Sequence, residues 1–179
     1  MDFFKNLFQF KSKKPLLVDF PYFKEIDINK TEELYNVSVE INGMLISLDL
    51  NFYEESVPLK TIKKAVDFLQ KLSEFEIIAK NKIIEEFNTG NVVKDYIAHH
   101  LKELDSEGLK ILGINSFEDS ETQTKIMFDK IHLKRIGIYP EDSGSYGVFD
   151  YTINDYLTQY LIVARFDRNR NLVEIVEES

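Results

Sequence analysis

Residues 36–52 read NVSVEINGMLISLDLNF, two alternating runs hinged on Asn42-Gly43. Asn-Gly suits a two-residue type I′ turn, because both central residues of that turn need a positive φ. Folded about this hinge, Ile41 faces Met44, Val39 faces Ile46, Val37 faces Leu48 and Tyr35 faces Leu50. Every pair is apolar, while Asn36, Ser38, Glu40, Ser47 and Asp49 take the other side. A slip of one residue would turn all of these side chains over, so the pattern fixes the register. The stretch predicts an antiparallel hairpin with one buried face and one wet face.

Working outward, YFKEIDI (22–28) predicts a further strand on the N-terminal side. Beyond the hairpin the apolar period changes from 2 to 3.6. Pro58 fits a first helical turn, and Ile62, Ala65, Val66, Leu69 and Leu72 mark one amphipathic helix. Phe75, Ile78, Ile83 and Phe87 mark a second; after a break at Thr89-Gly90-Asn91, Val93, Tyr96, Ile97, Leu101 and Leu104 mark a third. A loop containing Gly108 and Gly113 leads to a fourth near 117–130. HLKRIGIYPEDSGSYGVFDYTI (132–153) predicts two strands around a Pro-, Asp-, Ser- and Gly-rich turn, and YLIVARFDRNRNLVEIVEE (160–178) a hairpin turning at Arg168–Asn171. The order is strands, then three or four helices, then strands, without βαβ alternation. That order predicts an α+β fold, an antiparallel sheet of hairpins with helices packed on one face.

The 179 residues suit a single α+β domain over 15–179, preceded by a lysine-rich amphipathic segment over 1–14. In that segment Phe3, Phe4, Leu7 and Phe8 share a helical face, with Lys11, Lys13 and Lys14 following. Two uses stand open: a weak interfacial anchor, or packing against the domain or another subunit. Lys5 and Gln9 interrupt the apolar stretch, and no secretory cleavage pattern follows. The chain has no cysteine, so disulfides, thiolate nucleophiles and cysteine-based metal sites are excluded and a cytoplasmic setting is expected. No apolar run reaches the roughly 20 residues that span a bilayer.

Net charge is −9; four lysines against Asp2 in residues 1–14 leave residues 15–179 at −12. A surface this acidic repels a phosphate backbone, which argues against nucleic acid, and attracts a basic protein partner. No motif calls for a cofactor. The P-loop, G-x-G-x-x-G and calcium-loop patterns are absent, and GSYG (144–147) lacks the spacing of a nucleophile elbow.

Residues 96–104, YIAHHLKEL, hold the adjacent pair His99 and His100. Successive helical residues sit about 100° apart, so the two rings do not share a ligand. His100 falls in the apolar arc with Val93, Tyr96, Ile97 and Leu104, which predicts a buried neutral ring bonded to a backbone or tyrosine partner. His99 falls in a stripe with Asp95 and Glu103, each one turn away. That stripe is either a solvated face with i,i+4 contacts or, as the alternative reading, the metal site of a hydrolase.

The richest polar constellation is RIGIYPEDSGSYGVFDYTI (135–153). If Tyr139 faces Tyr146, Arg135 lands opposite Asp150 as a cross-strand ion pair. Arg135, Tyr139, Glu141, Asp142, Tyr146, Asp150 and Tyr151 are the candidate binding residues, either lining a polar pocket for a partner's side chain or holding a sheet edge together.

YFKEIDI, YIAHHLKEL, the 135–153 stretch with its YPED and FDYTI pieces, and YLIVARFD behind it together resemble a bacterial family of uncharacterised proteins. It is the domain of unknown function two-thousand-and-four. The resemblance spans about residues 22–178. It implies an intracellular bacterial setting and, more loosely, the company of small acidic proteins encoded beside toxins that they neutralise by binding. It brings no catalytic residue. The expectation is a non-enzymatic acidic protein-binding domain, in its narrower form an immunity-type inhibitor of a basic toxin.

Overall fold

The computed structural model describes residues 14–115 and 117–179. The segment 1–14 therefore lies outside the described residues except for Lys14. Among the described residues, eight strands and five helices follow in the order β1 (Leu17–Phe20), β2 (Lys24–Asp27), β3 (Leu34–Ile41), β4 (Met44–Asn51), α1 (Leu59–Leu69), α2 (Leu72–Thr89), α3 (Val92–Glu103), α4 (Ser106–Ile111), α5 (Ser120–Lys130), β5 (His132–Ile138), β6 (Gly147–Thr152), β7 (Leu161–Phe166) and β8 (Leu172–Glu178). The fold is α+β. Six strands form one sheet in the order β3-β4-β5-β6-β7-β8, and β1 and β2 pair in a small sheet of their own.

The β3–β4 hairpin has the register read from its alternation, with Ile41 opposite Met44, Val39 opposite Ile46, Val37 opposite Leu48 and Tyr35 opposite Leu50. Asn42 and Gly43 both have positive φ, 50° and 81°, as the tight turn demands. Asn42 also donates to Ser73 O at 3.1 Å and to Glu76 Oε2 at 2.6 Å, tying the hairpin tip to α2.

Four features depart from the sequence expectation. Strands β4 and β5 run parallel, in a sheet otherwise antiparallel. Parallel neighbours need a long crossover, and all five helices lie within the one that joins this pair, so no βαβ alternation was visible. The segment expected to be a loop around Gly108 contains α4, whose N-cap Asp105 accepts the Gly108 N–H at 2.8 Å; Gly113, at φ 80°, then ends that turn. In α2 the buried side is Leu72, Phe75, Glu76, Ala79 and Ile83, so Ile78 is exposed and a glutamate takes an inner position. The strand expected over 22–28 is the shorter β2, paired with the unanticipated β1.

The helices cover one face of the large sheet. Phe68 of α1 packs against Tyr146 and Phe166, and Phe75 of α2 against Phe166, with ring centroids 5.3–6.2 Å apart. Gly147 lies directly under Phe68: a Cβ there would sit 2.6 Å from the ring, so the closeness of helix and sheet requires glycine. One continuous apolar core runs from Phe20 and Ile26 through the helices to Ile162 and Phe166. Among the described residues no helix is long and apolar enough to cross a membrane.

Candidate functional site

The other face of the sheet is polar, and its rows follow from strand pairing. Asn36, Asp49, Gly137, Val148, Arg165 and Glu174 align across the strands in one row; Ser38, Ser47, Arg135, Asp150, Val163 and Val176 align in the next. Arg135 does stand opposite Asp150, and the Tyr139 N–H donates to Tyr146 O at 2.9 Å. The ion pair read from the sequence therefore forms.

It is part of a larger network. Arg135 Nη1 reaches Asp150 Oδ2 at 2.7 Å, Nε pairs with Asp49 Oδ2, and Nη2 donates to the Tyr139 hydroxyl at 2.9 Å. Asp49 in turn accepts from Asn36 Nδ2 and from Ser47 Oγ, the latter at 3.3 Å. Gly137 makes the room: a Cβ there would lie 2.9 Å from Tyr139 Cε2 and 3.0 Å from Arg135 Nη2. Burial pushes the Asp150 carboxyl above its ordinary value, against the pull of the Arg135 guanidinium. Burial also works against the charge on Arg135, but its bonds to Asp49, Asp150 and Tyr139 outweigh that and raise its pKa further. Two carboxylates thus share one guanidinium.

The same arrangement recurs one strand pair over. Arg165 on β7 is paired with both Glu174 and Glu178 of β8. Between the two arginines lies an open cavity of about 340 Å³, whose lining includes Tyr53, Tyr139, Asp142, Ser145, Val148 and Leu161. Asp142 accepts the backbone N–H groups of Gly144 and Ser145 at 2.8 and 2.9 Å, which hold its carboxyl below the usual range and keep it ionised. Tyr53, 64% exposed, lies with its ring centroid 6.5 Å from that of Tyr139. Burial and the neighbouring Asp142, Tyr139 and Glu141 raise its pKa. Five carboxylates (Asp49, Asp142, Asp150, Glu174 and Glu178) thus surround two arginines beneath two tyrosine rings.

Of the residues chosen from sequence, Arg135, Tyr139, Asp142 and Asp150 line this cavity. Glu141 sits behind it, accepting the Tyr53 N–H at 2.7 Å. Tyr146 and Tyr151 do not join them. They are 1% and 2% exposed and lie in the core, where burial pushes the Tyr146 hydroxyl up to about 12 and raises the Tyr151 hydroxyl well above its ordinary value. Strand alternation already separates Asp150 from Tyr151, since consecutive residues point to opposite faces. Asp49, Tyr53, Arg165, Leu161 and Glu178 were missed, because only the sheet order brings them here.

On α3, His100 is buried as expected. Its Nδ1 lies 2.7 Å from Tyr96 O, and its Nε2 2.7 Å from Thr158 Oγ1. The carbonyl can only accept, so Nδ1 carries the proton and Nε2 accepts from the threonine hydroxyl. Burial lowers the pKa and keeps the ring neutral. His99 is half-buried, its ring centroid 4.8 Å from that of Tyr160. Asp95 and Glu103 are exposed, and Glu103 contacts Lys102 at 3.4 Å. Among the described residues no group of three or more His, Asp or Glu side chains is placed to hold a metal ion, and the stripe Asp95, His99, Glu103 is no exception.

No protein-family model, no curated protein and no solved structure matches the chain. The family resemblance stands on the quoted motifs alone.

Proposed function

We propose that this chain is a non-enzymatic acidic binding protein that receives a basic protein partner on the open face of its six-stranded sheet. One observation carries the reading: both arginines around the cavity are already engaged by two carboxylates each, and Asp142 stays ionised beside them. The local balance is therefore negative in a concave site, which focuses field lines and attracts cationic side chains. Tyr53 and Tyr139 at the rim offer ring faces on which a lysine or arginine can rest, and tyrosine is a favoured anchor residue in interfaces. The net charge of −9 adds long-range steering that weakens with salt. In its narrower form the proposal is an immunity-type inhibitor in a bacterial cytoplasm, whose basic target is blocked where this face covers it.

The test is affinity capture from the native cell at low salt, run in parallel with the wild type and with a Glu174→Lys/Glu178→Lys variant. A basic protein retained by the wild type, released as salt rises and absent from the variant supports the reading. Identical captures by both proteins would refute it.

A further inference from the structure

A second cavity, of about 280 Å³, opens on the helix-covered side of the sheet, beside the tip of the β3–β4 hairpin between α2, α5 and the start of β5. Its walls are largely apolar, with Met44, Ile83, Phe128 and Leu133 among them. Two buried polar groups line it. Glu76, 2% exposed, accepts from Asn42 through Oε2, while its Oε1 has no partner. Tyr151, also 2% exposed, has a hydroxyl with no partner. A carboxylate oxygen withdrawn from water with no donor is strongly disfavoured, and native proteins rarely leave such an atom unfilled without a purpose.

What would fill the gap is defined by chemistry. Glu76 needs an N–H donor and, because the neutral Asn42 amide is its donor on the other oxygen, a positive charge. Tyr151 can accept a hydrogen bond from the same group or donate one to it. The apolar walls call for a hydrocarbon body, and the volume sits at the lower edge of small-ligand pockets. We infer that this cavity is a binding site for a small organic ammonium ion, its nitrogen on Glu76 and Tyr151 and its aliphatic body against Ile83 and Leu133. Lys80 lies at the mouth, one turn along α2 from Glu76, as the chain's own competing ammonium. The inference does not depend on the open-face reading, since it concerns the opposite side of the sheet.

The experiment titrates the full chain with n-butylammonium, and with butan-1-ol and butyrate as neutral and anionic counterparts, by calorimetry and by NMR of the Tyr151 ring. Saturable binding of the ammonium is expected, at least about tenfold tighter than either counterpart, since ion-assisted hydrogen bonds are roughly twice as strong as neutral ones. The bound ligand should raise the melting temperature. Glu76→Gln should abolish the preference for the ammonium while melting no lower than the wild type, because it removes an unpaired buried charge. Tyr151→Phe, which keeps the ring, should weaken binding, and Lys80→Ala should preserve or strengthen it. Butanol binding as tightly as the ammonium, an unchanged Glu76→Gln affinity, or no saturable shift (the cavity then holding ordered water only) would overturn the inference.

Discussion

Replacing Arg135 with methionine removes the cation shared by Asp49 and Asp150 and leaves two carboxylates behind, with side chains 11% and 6% exposed. Stripping the partner from a buried ion pair costs about 3–5 kcal/mol. The Arg135 side chain is itself 31% exposed, so solvent screening places the expected loss at the lower end, about 3 kcal/mol. In a chain of this size that corresponds to a melting temperature lower by about 6–12 °C. The sign with pH is also fixed. Burial already raises the Asp150 carboxyl; without the guanidinium that opposes this, it titrates further above its unfolded value of roughly 4, so the folded state binds more protons than the unfolded state between the two. Stability then falls as pH rises through that window. The deficit relative to wild type should be small near pH 4 and largest at neutral pH, and Asp49→Asn/Asp150→Asn in the Arg135→Met background should recover most of it. Urea denaturation at several pH values reads all of this. A loss below about 1 kcal/mol at pH 7, or one of equal size at pH 4.5 and 7.5, would mean that solvent already screens these carboxylates.

Three further outcomes can be checked by thermal or chemical unfolding. Because burial depresses the His100 pKa, its contribution to stability is complete above the ordinary imidazole value of roughly 6.5 and lost as pH falls below it; His100→Asn should flatten the stability profile between pH 5 and 7. Tyr146→Phe should leave stability unchanged or raise it by up to about 1 kcal/mol, since the hydroxyl it deletes is buried without a partner. Gly147→Ala should cost about 1–3 kcal/mol, because its methyl group meets the Phe68 ring and one side must give way.

Local chemistry was readable from the sequence; contacts made across distant segments were not. The β3–β4 register was legible because every apolar residue in 36–52 agrees with one period and Asn42-Gly43 names the turn. The Arg135–Asp150 pair was legible only on the condition that Tyr139 faces Tyr146, because the loop between the two strands is long enough to allow other registers; the structure has that register. Asp49 as the second partner of Arg135 was not legible, since it depends on a parallel junction closed by a crossover from residue 52 to residue 131. Tyr53 enters the cavity by the same junction. Glu76 escaped notice because α2 carries apolar residues on several sides, Ile77, Ile78 and Ile84 being exposed, so periodicity did not single out its inner face. The hairpin tip did, through the Asn42 side chain.

The proposed function is tested most directly by NMR titration of the isotopically labelled chain with a short oligolysine peptide at low salt. Saturable shifts concentrated at Tyr53, Tyr139, Asp142 and Arg165 are expected, diminished by Glu174→Lys/Glu178→Lys and by added salt. Shifts spread evenly over the acidic surface, or centred on the helical side, would contradict it.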